Sequence, residues 1–271
     1  MCVAFSCLVT KSKKVYWKEG LDDHEGLINK FKDKDKELKD NKLPPNNTFA
    51  RIEIVPPNKN YLDIKSKWIY QIDEKVKPSW LTDDYEKPCR IALQKWQNKV
   101  YKKFDLEQAL HPIHPFKIKP PKITKKHLDL LKEWASVRAS VRASVRASVW
   151  ASVWASVRAS VRDSVGASVW DSVGASVRDS VRDSVGDSVR ASVWASVRVS
   201  VWDSVGASVE AYIGSMFSIK KWKYCDKIKV KGYPFNSVVK LWKMGLVPSY
   251  DGKVWRLHGG EKATILYEGK L

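Results

Sequence analysis

Cysteine and histidine are the residue types here most able to carry covalent or metal chemistry. Cys2 follows Met1 directly. Loss of the methionine would set a free amine beside the thiol, the arrangement by which an N-terminal cysteine acts as a nucleophile in a hydrolase. That chemistry also needs glycine-rich oxyanion and substrate loops, and residues 3–30 offer only the separated Gly20 and Gly26. The four cysteines, Cys2, Cys7, Cys89 and Cys225, form no C-x-x-C pair and no zinc spacing. They read as reduced thiols, with Cys2 a small buried one. His111 and His114 stand in H-P-I-H-P without a nearby carboxylate or thiol cluster, and read as linker histidines. His258, in WRLHGG, reads as a strand-end histidine. No phosphate-binding glycine loop and no dinucleotide fingerprint occurs. The expectation is a protein that is not an enzyme, with no catalytic residue, metal or cofactor.

Binding chemistry is better represented. The chain carries 49 basic and 30 acidic residues, a formal net charge of +19, which favours anionic partners. Residues 1–134 hold 28 basic and 19 acidic side chains, and residues 215–271 hold 12 and 4. Residues 135–214 hold 9 and 7, so attraction to nucleic acid belongs to the ends. Lys220, Lys221, Trp222, Lys223 and Tyr224 open the run KKWKYCDKIKVKGY. Lysines there can neutralise phosphates while the rings stack on bases. The plain alternative is a solvated lysine surface with its aromatics turned inward.

The elements that must position these residues are dominated by one feature. Residues 135–214 are twenty four-residue units, nearly all (Ala/Asp)-Ser-Val-(Arg/Trp/Gly). On an α-helix four residues turn about 400°, so the valine stripe drifts about 40° per unit and circles the axis in roughly nine units. One uninterrupted helix then has no fixed apolar face. Ser and Val each cost roughly 0.5 kcal/mol against Ala, on the order of 20 kcal/mol over the array. On a strand, period four is two strand periods, which sets position 1 with Val on one face and Ser with position 4 on the other. This favours a β-solenoid-like coil stacking Val on Val, with a long helix or disorder as alternatives. Six aspartates on the inner face are the objection, since buried carboxylates need partners. In this reading Trp150, Trp154, Trp170, Trp194 and Trp202, with Arg158, Arg178 and Arg198, form a repetitive surface. Trp, Arg and Gly share codons ending in GG, so drift in an expanded twelve-nucleotide repeat would produce the same variation without chosen contacts.

The flanks read as small modules. Residues 1–104 suggest an α+β domain: CVAFSCLV, KVYWKE, FARIEIV and KWIYQID are strand-like, and residues 81–101 carry Ile91, Leu93, Trp96 and Val100 near helical spacing. Residues 105–126, with four prolines and five lysines between 111 and 126, read as an extended basic linker. Residues 127–217 comprise a capping helix, HLDLLKEW, and the array. Residues 218–271 form a small α+β module: PFNSVVKLWKMG is a helix stopped by Gly245, and Asp251-Gly252 is a hairpin turn. No segment approaches the roughly 18 apolar residues of a membrane span, and the expectation is a soluble cytoplasmic protein.

The array resembles that of phage-like and metagenomic proteins that carry SV-tetrapeptide repeats between similar flanks. The resemblance extends to Val15-Tyr16-Trp17, Asp23-His24-Glu25, Trp68, Asp73 and Pro78-Ser79-Trp80-Leu81, and to the tail from Leu241 to His258 (LWKMGLVPSYDGKVWRLH). It implies no activity, cofactor or catalytic residue. A weaker likeness to pentapeptide-repeat solenoids implies a binding scaffold. The acidic DNA mimics among those differ from an array of net charge +2. The functional expectation is a non-enzymatic, phage-related scaffold presenting a Trp/Arg surface to a macromolecule, protein or nucleic acid, with self-association open to it. The alternatives are a nucleic-acid-binding protein acting through lysine-rich flanks and an N-terminal-cysteine hydrolase.

Overall fold

The computed structural model describes residues 5–39, 46–152, 155–185, 191–225, 228 and 232–271; at 150–152, 155–156, 182–185 and 191–198 it describes the backbone alone. The chain divides into two units, residues 1–104 with 151–160 and residues 105–150 with 161–271.

The N-terminal unit begins with strands Phe5–Thr10 (β1) and Val15–Tyr16 (β2) and helix His24–Phe31 (α1). Strands Phe49–Val55 (β3) and Ile69–Ile72 (β4) and helix Glu86–Val100 (α2) follow. The strands form one antiparallel sheet in the order β2-β1-β3-β4. All six residues of β1 are buried because both its faces are covered. Leu8 packs with Leu27 of α1, Leu38 and Phe49 on one face. On the other, Phe5 meets Trp96 of α2 at a ring separation of 5.7 Å. The helix expected over 81–101 forms, but Ile91 points to solvent, 47% exposed. Asp23 caps α1 by accepting from the Gly26 N–H, which makes His24 the first helical residue.

The array is helical, which corrects the β-solenoid expectation: 51% of the structure is helix, and its only sheets are two small antiparallel ones among the described residues. After helix Leu106–Leu110 (α3) come Lys125–Ser152 (α4), Ala155–Val165 (α5), a π-helical segment Gly166–Trp170, Asp171–Val185 (α6) and Ala191–Gly214 (α7). HLDLLKEW lies within α4, which continues into the array, and buries Leu130, Leu131 and Trp134. Drift deprives one uniform long helix of a fixed apolar face, but a shorter stretch keeps one. From Val137 to Val149 on α4, or Val201 to Ile213 on α7, it accumulates to about 120°, close to the stripe one buried face needs. The π segment turns about 4.4 residues per turn, so four residues there fall short of a full turn by about 30° and reverse the drift. Fourteen array valines in position 3 are buried among the described residues. At roughly 1.5 kcal/mol each, their burial contributes on the order of 20 kcal/mol, matching the propensity deficit. Helical geometry also removes the objection of the aspartates. Positions 1 and 3 lie about 200° apart on a helix, so Asp163, Asp171, Asp179 and Asp203 are exposed. Val199, a valine in position 1, is 57% exposed.

Helices α6 and α7 pack antiparallel, with tryptophan against glycine. A Cβ on Gly174 would stand 2.8 Å from Trp202 Cζ3, and a Cβ on Gly206 would stand 3.8 Å from Trp170 Cζ2. Four residues forward on one side match four back on the other. The array serines hold neighbouring backbone. Ser204 Oγ accepts from Tyr250 N–H at 3.0 Å, Ser148 Oγ accepts from Lys223 N–H at 2.8 Å, and Ser164 Oγ donates to Ala109 O at 2.6 Å.

The chain ends with helix Asn236–Lys243 (α8) and strands Val247–Tyr250 (β5), Trp255–Gly259 (β6) and Thr264–Gly269 (β7), antiparallel in the order β5-β6-β7. Gly245, at φ +75°, follows α8, and the Asp251 carboxylate accepts from the N–H groups of Lys253 and Val254 in the turn. The segment expected as an extended linker is packed: Phe116 is buried, and Ile113 bonds Tyr212 and Trp242 through its N–H and carbonyl.

The two glycine notches predict opposite effects of one substitution. Gly174→Ala should destabilise by about 1–3 kcal/mol through overpacking against Trp202. Gly206→Ala, with room for a methyl group, should stabilise by about 0.5–1 kcal/mol through helix propensity. Urea unfolding of both variants checks the signs.

Candidate nucleic-acid interface

The lysine-rich segment after α7 is held by one anchor. Trp222 is buried, with its ring 4.8 Å from Tyr233 in an edge-on arrangement. Tyr233 donates to Ala211 O at 2.7 Å, and burial pushes its hydroxyl well above its usual range. Lys223 N–H and Cys225 Sγ, at 3.3 Å from Ser144 Oγ, tie the segment to the serines of α4. The side chains of Lys220, Lys221 and Lys223 are exposed, and Tyr224, between the two ties, is 66% exposed on a backbone at φ +59°. The structure therefore separates the two aromatics expected to act together: Trp222 is an anchor turned inward, and Tyr224 stands among the lysines.

The array residues expected to form a Trp/Arg surface are placed differently from one another. Trp170 and Trp202 are half-buried in the glycine contacts of the helical pair, and Arg162 lies 5.7 Å over the Trp170 ring. Arg158 and Arg178 are half-buried, the latter 4.0 Å from Asp179. Trp154 lies outside the described residues, as do the side chains of Trp150, Trp194 and Arg198. Arg138, also in position 4, packs over the Tyr250 and Trp255 rings at 4.9 and 5.3 Å. Arg142 and Arg146, one turn apart on α4, are exposed.

Two buried histidines carry polar centres. His258 is fully buried. Ala263 O, 3.0 Å away, can only accept, so Nδ1 carries the proton and Nε2 accepts from Ser249 Oγ at 2.8 Å. The pair has the form of a nucleophile and its base, and Ser249 is as fully buried as His258. Desolvation, helped by the Arg256 charge, lowers the His258 pKa to about 4. The second centre, on the N-terminal sheet, gathers His24, Glu53 and Asp73, which lie 20 to 30 residues apart and show no motif spacing. His114, expected as a linker histidine, bonds Ser172 Oγ at 2.7 Å. Cys2 lies outside the described residues.

No family model matches the chain, and no curated protein or solved structure matches it. Among the described residues, no helix is long and apolar enough to cross a membrane.

His258 makes stability pH-dependent with a definite sign. Its folded pKa lies below the unfolded value near 6.5, so its neutral form contributes stability that is complete above about pH 6.5 and is lost as the pH falls toward 4. The loss should approach roughly 3 kcal/mol. Thermal unfolding across that range should show it, and His258→Gln should flatten the dependence.

Proposed function

We propose that the protein is a non-enzymatic nucleic-acid-binding scaffold, in which the helical array supports a lysine-rich contact surface. The observation that carries this reading is the set Lys220, Lys221, Lys223 and Tyr224: three exposed cations around an exposed ring, on a segment fixed by buried Trp222. A ring on a positive surface suits single strands, whose bases are free to stack. The formal net charge of +19 adds long-range attraction to a polyanion. Trp170 and Trp202 serve the array's own packing, which moves the contact from the array surface to the flank.

Fluorescence anisotropy with a labelled oligothymidylate tests the proposal. Affinity should fall linearly with salt on logarithmic axes, and replacing Lys220, Lys221 and Lys223 by Gln should reduce the slope by about 2. Tyr224→Ala should weaken binding by about 5- to 100-fold with the slope unchanged. Binding that ignores salt, or a triple variant that binds like the parent, would contradict the proposal.

A further inference from the structure

His24 is 96% buried by its 4% exposure, yet its imidazole faces two carboxylates. Nε2 lies 3.2 Å from Ile52 O, an acceptor only, so that nitrogen is a donor. Nδ1 points the other way, 3.0 Å from Asp73 Oδ2. One ligand atom from each of His24, Glu53 and Asp73 lies within 4.8 Å of the other two. With Nε2 donating, Nδ1 and two carboxylates converge on one region, an arrangement suited to a bound cation. The geometry points to a divalent transition-metal site in the N-terminal unit, with His24 Nδ1 and the carboxylates of Glu53 and Asp73 as its protein ligands.

The surrounding structure meets the further requirements of such a site. A ligating histidine ordinarily donates its other N–H to a carbonyl or carboxylate, which fixes tautomer and ring plane; Ile52 O does this here. The scaffold is rigid on each side. His24 sits at the capped start of α1, Glu53 lies in β3 opposite Gln71 of β4, and Asp73 N–H donates to Arg51 O at 2.9 Å. Arg51 does not neutralise the cluster, because it pairs with Glu25 at 3.2 Å and Glu74 at 3.3 Å. No ion pair to Glu53 occurs among the described residues, so negative charge is concentrated here in a strongly basic chain. Ligands about 2.0–2.2 Å from a common ion lie about 3–4.3 Å apart, so the 4.8 Å spread closes with small rotations of the two carboxylates. Asp73, whose side chain is 54% exposed, and half-buried Glu53 are free to make them. Glu53 also lines an open hollow with Gln71, Ile69, Tyr61 and Lys59, so its carboxylate is open to solvent on that side. One imidazole and two carboxylates suit Mn(II), Co(II), Fe(II) or Zn(II) over softer ions.

Co(II) titration of the chelator-treated full chain tests the site. One equivalent should bind and give the visible bands of nitrogen and oxygen ligation without a thiolate charge-transfer band, which distinguishes it from cysteine binding. Asp73→Asn and Glu53→Gln should each weaken binding at least about tenfold, with circular dichroism and metal-free unfolding temperature unchanged. Absence of stoichiometric binding, a thiolate band, or full binding in both variants would overturn the assignment.

Discussion

A four-residue repeat does not fit a helix of 3.6 residues per turn, and the architecture of the array follows from how the chain handles the difference. Each unit over-rotates by about 40°. Valines therefore stay on one buried face only if the helix is interrupted before the error grows too large, or if a wider turn subtracts from it. The second occurs: the π segment Gly166–Trp170 lies between α5 and α6. Buried Val157, Val161, Val165, Val169, Val173, Val177 and Val181 continue through the π segment as one row.

With valine fixed inward, the other positions take roles that helical geometry assigns. At its described aspartates position 1 faces water, which is why a carboxylate is tolerated there. Serine is small enough to let a neighbouring backbone approach and polar enough to bond it. Ser204 thus reaches the edge strand β5, and Ser148 reaches the lysine-rich segment. Position 4 lies beside the helix contacts. Two glycines there, Gly174 and Gly206, face the tryptophans Trp202 and Trp170. The same scaffold that absorbs two tryptophans holds out Lys220, Lys221, Lys223 and Tyr224.

Much of the flanking structure was legible in the residues. Pro56 ends β3, Gly245 follows α8, and Asp251-Gly252 turns β5 into β6, because each acts through local backbone chemistry. The array was misread because propensity and periodicity were weighed for one continuous helix, whereas burial of valine in several short helices reverses the balance. Sequence grouped the lysines with Trp222 and Tyr224 and offered one role for both rings, since composition does not say which ring a fold turns inward. The His24, Glu53 and Asp73 group was hidden for another reason. Its members come from a helix start, a strand and a strand end, and only antiparallel pairing of β3 with β4 under α1 brings them together.

The central claim is that array valines sit in helices and bury one another's face. Carbon chemical shifts of the full chain labelled at valine Cα test it residue by residue. The account predicts helical displacements, downfield of random coil, for Val141, Val161, Val173 and Val205. Upfield displacements typical of strands, or values at random coil, would contradict it.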